Sequence, residues 1–380
     1  MKYLITPVFL FFMAFEARAQ DEFTNNWNAA NNLVEEMKYA EALEAFAPLL
    51  AEQPCNVGTH IQVGWCHLML GDMEKAMEHA FTSYQLDQLY FASSTICAYV
   101  TMAGGQSESG KVFLDKSIWL IDDVATLDYY DEDIAEMEDG GLNVAALREE
   151  FENVKTNFGS INKEWASIYA KLTDGIALIG EGNFDDAKII LKEALKGFDK
   201  APEAHQSLGF VTAYVIGSHY YSAGDSTNYM PVLNGSFDYM TKNLKTNYLP
   251  IIHMATMLAE HYYINGQYDK SFEVISVGLE YLPHLNNFTY LTYYKAMFLT
   301  QYSLSANAIG NTVEAQGAAE LLTKIEWTGY DEWYQTNGWI YLAQAEADAG
   351  SAREYYQTAF NLAEQHGFED LKNSVAENLK

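Results

Sequence analysis

Basic residues are scarce in this sequence: 22 Lys and Arg stand against 52 Asp and Glu in 380 residues, a formal net charge of −30. So few cations cannot neutralise a run of phosphates, which speaks against nucleic acid and anionic membrane surfaces as partners. Proline is scarce too, with seven in the chain, and no Gly/Ser/Pro-rich stretch separates one half from the other, which favours one continuous array over beads on a linker. Only three cysteines occur, Cys55, Cys66 and Cys97, an odd number with no CxxC and no Cys/His pair at metal-ligand spacing. That excludes a disulfide scaffold and a zinc motif of the usual kind. Beyond the first residues, no apolar run approaches the roughly 20 residues that span a bilayer.

Apolar residues nonetheless make up 49% of the chain, enough for a substantial core. The N-terminus reads as a targeting segment. Lys2 gives a basic start, Tyr3 to Phe15 an apolar run, and Ala17-Arg18-Ala19 a small-x-small cleavage pattern that leaves Gln20 first. The expected location is therefore periplasmic or secreted, with no membrane insertion after cleavage. No Cys stands at the cleavage point to carry a lipid. The mature chain would hold 20 basic and 51 acidic residues, and only two arginines, Arg148 and Arg353.

A repeat emerges at a period of 34 residues. Tyr39-Ala-Glu-Ala42-Leu43 with Pro54 recurs as Gly64 followed by Gly71-Asp72 and Ala76, and more weakly around Gly105 and Gly110. It returns as Gly175, Gly182-Asn183 and Ala187, and again as Ala259, Gly266-Gln267, Ser271 and Pro283. Gly with Asp or Asn marks a turn between two helices, and a small residue (Ala42, Ala76, Ala187, Ser271) lets the second helix cross the first closely. One pair alone leaves an apolar face bare, so stacking is needed to bury it. Asp122–Trp165, Pro202–Leu249 and Asn286–Trp327 fit poorly but still read as helical, with insertions near 224–234 and 303–311. The last unit has a shortened turn at Gly350.

These residues resemble the tetratricopeptide repeat (TPR), whose units carry a Gly in the first helix, an Ala in the second and a terminal Pro. The resemblance covers most of residues 23–366 and implies an all-α fold, an α-solenoid of stacked helix-turn-helix (TPR-like) repeats forming a right-handed superhelix of about fourteen to sixteen helices. The expected organisation is a signal peptide at 1–19, three repeats at 20–124, an acidic helical insertion at 125–167, further regular and degenerate repeats at 168–366 and a capping helix at 367–380.

The family binds partners on its concave side, lined by the first helix of each unit. By offset the resemblance points to Trp27, Asn31, Trp65, Met69, Tyr99, Met102, Glu260 and Tyr263 as partner-binding residues. Asn31 matches an Asn with which chaperone-binding members clamp a peptide terminus, but the accompanying lysines are missing and Trp27 stands where one belongs. An aromatic, acid-rimmed groove suits an apolar or basic protein segment instead. Thirteen of the 27 tyrosines lie between Tyr214 and Tyr294, most of them expected in the core.

No catalytic constellation appears. Ser160-Ile-Asn-Lys163 has the SxxK form without its companion motifs, Glu260-His261 with His253 is not HExxH, and Gly105-Gln-Ser107-Glu-Ser109 lacks the last Gly of a nucleophile elbow. Nine acidic residues and no cation fall in Asp122–Asp139, without the order of an EF-hand, and read as a solvated loop or helix edge. The expectation is a non-enzymatic protein-interaction scaffold with no cofactor and no metal. The alternative is a glycan- or small-molecule-binding subunit of an uptake system, using Trp65, Tyr99 and Trp333 as platforms. Cys66 and Cys97, three residues short of one period apart, either face each other across a seam or sit as inert core thiols, the second being favoured.

Overall fold

The computed structural model describes residues 17–121, 126–158, 164–198, 206–326 and 331–380. The basic and apolar parts of the targeting segment and the SxxK residues lie outside them. Among the described residues there is no strand. The chain divides between Asp225 and Ser226 into two units.

The first unit holds α1 (Ala17–Glu35), α2 (Tyr39–Glu52), α3 (Val57–Met69), α4 (Met73–Leu86), α5 (Phe91–Ala103), α6 (Ser107–Leu120), α7 (Thr126–Asp139), α8 (Ala145–Asn157), α9 (Glu164–Gly180), α10 (Phe184–Gly197) and α11 (Ser207–Ser222). The second holds α12 (Ser226–Asn243), α13 (Tyr248–Ile264), α14 (Tyr268–Gly278), α15 (Thr292–Ala308), α16 (Thr312–Leu322), α17 (Asp331–Ala345), α18 (Ala349–His366) and α19 (Glu369–Asn378), with two 3-10 turns at Leu282–Asn287 and Thr289–Leu291. Consecutive helices pack in pairs, so each unit is a stretch of α-solenoid built from TPR-like helix hairpins. The nineteen α-helices among the described residues exceed the expected fourteen to sixteen, because the acidic stretch and the poorly matching stretches form full-length helices.

One turn design recurs. The residue that closes a first helix adopts a left-handed backbone: Met37, Gly71, Gly105, Gly141, Gly182, Gly224, Gly266 and Gly310, with φ between 58° and 82°. At Gly71 the amide donates to Leu68 O (3.0 Å) and the next amide, of Asp72, reaches back to His67 O (2.9 Å), the paired bonds of a Schellman cap. A Cβ at Gly71 would meet nothing within 4 Å, so glycine stands there for its dihedral and not for space. These markers correct the sequence reading. Gly310 is an ordinary hairpin turn and Gly224 closes α11 with the same cap, and residues 226–234 and 303–308 are helical, so neither stretch holds an insertion. Gly350, by contrast, lies in the first turn of α18, whose N-cap is Asp348 accepting from the Ser351 amide at 2.8 Å. The period also drifts, from 34 residues between Met37, Gly71 and Gly105, through 36 to Gly141, to 41–44 between the markers after it, which is why a fixed 34-residue frame lost the pattern.

Where the helices of a hairpin cross, both contribute small residues twelve positions apart: Ala30 with Ala42, Gly64 with Ala76, Ala98 with Gly110, Gly175 with Ala187, Ala259 with Ser271, Ser303 with Ala315. Ala42, Ala76, Ala187 and Ser271 are fully buried. In the last two pairs a serine replaces an apolar contact with a hydrogen bond: Ser271 donates to Ala259 O (2.7 Å) and Ser303 to Ala315 O (2.9 Å). Cys66 and Cys97 are separate buried thiols. Cys97 Sγ donates to Ala80 O at 3.2 Å, while Cys55 is less buried than either. At the far end α19 lays Leu371 and Val375 onto Ala359, Ala363 and Ile340.

Candidate functional site

The turn markers fix which side chains share a level on the first helices. Asn31, Trp65, Tyr99 and Glu260 each stand six residues before the left-handed residue of their hairpin. Met102 and Tyr263 stand three before it and Met69 two before. Trp65, Tyr99 and Glu260, and likewise Met102 and Tyr263, therefore occupy equivalent places in two different units.

In the first unit this face is covered, and the cover is the chain's own helix α7. Its apolar residues Leu127, Tyr130, Ile134 and Met137 follow the i, i+3, i+7, i+10 spacing of one helical stripe and are all buried in a cluster with Trp65, Tyr99 and Met102. Polar contacts fix its register. Tyr99 donates its hydroxyl to Asp133 Oδ2 at 3.0 Å, Tyr39 donates to Glu136, and the Tyr130 hydroxyl bonds to Thr95 Oγ1 (2.9 Å) and to Ser117. The Tyr130 ring meets Tyr99 edge-on at 6.3 Å and stacks on Phe151 of α8 at 5.4 Å. At its C-terminal end, Gly140 comes so close to α3 that a Cβ there would lie 2.9 Å from Met69 Cε. The outer carboxylates are held by α8, Asp131 by Lys155 and Glu138 by Arg148 (2.9 Å).

The acidic stretch is thus not a solvated loop: residues 126–139 are a helix with one buried face, and four of its carboxylates have protein partners. Trp65 and Tyr99 are 8% and 1% exposed. Met102 is buried and Met69 half-buried. Burial lifts the Asp133 carboxyl to about 6, although the Tyr99 hydrogen bond pulls the other way, and burial with the nearby Asp133 pushes the Tyr99 phenol far above its ordinary range. Toward the N-terminus, Trp27 meets Phe46 edge-on at 6.3 Å, and Asn31 donates to Glu35 at 3.1 Å rather than standing as a clamp.

In the second unit Glu260 and Tyr263 are half-buried on α13. Tyr263 packs against Tyr268 with ring centroids 5.2 Å apart, and burial, with Tyr263 nearby, raises the Tyr341 phenol of α17. His253, on the same helix, meets Tyr294 of α15 at 5.1 Å, and burial pushes its imidazole down to about 4. Burial alone raises the Glu260 carboxyl to about 7.

A histidine cluster not singled out from the sequence lies on the first unit's α3 and α4. His60 Nδ1 bonds His79 Nδ1 at 2.9 Å, His60 Nε2 bonds Pro54 O at 2.9 Å, and His67 stacks on His79. Burial holds His60 down to about 4, and burial with the neighbouring histidines takes His79 down to about 3, so both are neutral structural groups near neutral pH. Among the described residues no group of three or more His, Cys, Asp or Glu is arranged to hold a metal, and no helix is long and apolar enough to cross a membrane.

No known protein-family profile matches the chain, and no curated protein does. Solved structures similar to it include the TPR domain of P58(IPK), with 11% identity over 94% of this chain and 98% of that one, at a TM-score of 0.26. Yeast Tom70 gives 11% identity over 94% and 96% at 0.28, and the APC/C hetero-tetramer Cut9-Hcn1 gives 11% over 99% and 92% at 0.24. At such scores the similarity assigns neither family nor function, and the α-solenoid class rests on the helix pairs and turns described above.

Proposed function

We propose that this chain is a non-catalytic, exported scaffold that holds polypeptide segments against the first-helix faces of its repeats. The observation that carries this reading is α7. The face that the sequence marks for partners already binds a helix, through an apolar stripe and side-chain hydrogen bonds, so its chemistry suits polypeptide. The same observation disfavours a glycan platform, since Trp65 and Tyr99 are used up beneath that helix. With the first unit's face occupied by the chain itself, partner binding falls to the second unit's α13, α15 and α17. Export rests on the basic, apolar and small residues of the N-terminus, and N-terminal sequencing of the protein from its native envelope should find Gln20 first.

A photo-crosslinking amino acid at Leu304, half-buried on α15 six residues before Gly310, tests the scaffold reading, with Val313 on the exposed face of α16 as control. The expected result is a discrete protein adduct at Leu304 and none at Val313. Equal labelling at both positions, or none at Leu304, would contradict it.

A further inference from the structure

We propose that Glu260 anchors a docking surface on α13, α15 and α17 for a polypeptide segment that presents a lysine or arginine flanked by apolar side chains. This rests on the scaffold reading and names the partner chemistry.

The argument begins with register. Glu260 occupies the level that Trp65 and Tyr99 occupy in the first unit, six residues before the left-handed turn. There that level is where a packed helix is gripped: Tyr99 donates to Asp133 of α7, and Trp65 lies in the apolar cluster beneath it. The first unit offers phenol donors and its bound helix supplies carboxylates. At the same level the second unit offers a carboxylate, so the complementary ligand must supply the donor.

Among the described residues, Glu260 has no hydrogen bond and no ion pair, although it is only half exposed at most. A carboxylate held away from water without a partner is costly, and a cation placed on it recovers that cost through a charge-assisted hydrogen bond. Burial already biases the group toward its protonated form, the response of an acid with no counter-charge nearby. The surroundings define the rest of the segment. Leu304 stands at the equivalent level of α15, six residues before Gly310, and Tyr263, one turn after Glu260 on α13, lies close enough to Tyr341 of α17 to act on its phenol. An ammonium or guanidinium with apolar neighbours fits this set, and Tyr faces add cation–π attraction. The chain's net charge of −30 draws such a segment in and repels an acidic one.

The probe is a fourteen-residue amphipathic helical peptide with leucines at i, i+3, i+7 and i+10 and one central lysine, compared with the same peptide carrying glutamine in that place. Affinities are read by fluorescence anisotropy at physiological salt on the full chain, Glu260→Gln and Glu273→Gln. Glu273 is an exposed acid on α14 and reports on diffuse charge alone. The expected result is about tenfold weaker binding on losing the peptide lysine, the same loss in Glu260→Gln, and no added loss when both changes are combined. Glu273→Gln should bind as the native chain does. Equal binding of the lysine and glutamine peptides, or equal losses for Glu273→Gln and Glu260→Gln, would overturn the assignment. Glutamine is isosteric and removes an unpaired charge, so a folded variant is expected, checked by its helical circular dichroism. If Leu304 still crosslinks a protein while the lysine–Glu260 coupling is absent, the scaffold reading stands and the cation anchor falls; without either, both fall.

Discussion

Replacing Asp133 by asparagine isolates the electrostatics of the helix held against the first unit. Asp133 lies on α7 and accepts from the Tyr99 hydroxyl at 3.0 Å, yet burial raises its carboxyl from the ordinary 3.8 to about 6. A raised folded pKa means that the folded state binds the proton more tightly than the unfolded chain. The stabilising proton is fully in place below 3.8 and is lost as pH rises through about 6. At pH 7 the ionised group therefore opposes folding. A shift of about two units at about 1.4 kcal/mol each corresponds to roughly 3 kcal/mol. Asparagine keeps an acceptor for Tyr99 and sheds the charge, so the variant should be more stable than the native chain at pH 7 by about 1–3 kcal/mol. At pH 4 that advantage should shrink or vanish. Urea titrations at both pH values, followed by intrinsic tryptophan fluorescence, give the comparison, and taking the difference between variant and native chain cancels the titrating groups the two share. A variant less stable at pH 7, or an advantage unchanged at pH 4, would refute the burial of Asp133 between α7 and Tyr99.

Other perturbations follow from the packing. In the Asp133→Asn background the buried imidazoles of His60, His79 and His253 should weaken the fold in acid: all three are depressed in the fold, so stability is retained above the unfolded value near 6.5 and declines as pH falls toward 4, and a flat profile between pH 7 and 4.5 would contradict their burial. Ala187→Leu should overpack the α9–α10 crossing and cost roughly 1–3 kcal/mol, read as a lower thermal midpoint. Gly175→Ala tests the same crossing from the other side. Its Cβ would lie 2.4 Å from Leu191 Cδ2, and a loss of about 1–3 kcal/mol is expected, with an unchanged midpoint counting against the register.

Much of this organisation is legible in the sequence, and what escaped has physical reasons. Gly71-Asp72, Gly182-Asn183 and Gly266-Gln267 announce their turns because a left-handed residue followed by a helix cap leaves a compositional mark. Met37 adopts the same conformation without glycine and leaves none. Gly224 and Gly310 were misread as insertions because helices of sixteen to eighteen residues lengthen the repeat beyond 34. Trp65, Tyr99 and Glu260 fall at matching levels of their hairpins, but the helix that covers the first two was hidden. In 126–139 seven carboxylates mask the four apolar residues that form a single stripe, and net composition pointed to solvent. The spacing of Leu127, Tyr130, Ile134 and Met137 was the available signal; that Tyr39, Thr95 and Tyr99 would come together to receive it depends on packing between distant hairpins, which local pattern does not encode.

The account turns on α7 lying over the first-helix face of the first unit, and hydroxyl-radical footprinting read by mass spectrometry tests that placement most directly. In the native chain Trp65, Tyr99 and Met102 should oxidise slowly while Tyr129, 66% exposed on the outer side of α7, oxidises fast. Replacing residues 126–139 by a flexible linker should make Trp65, Tyr99 and Met102 reactive while the helical signal of the rest persists. Fast oxidation of Tyr99 and Trp65 in the native chain, or rates that do not change when α7 is removed, would contradict it.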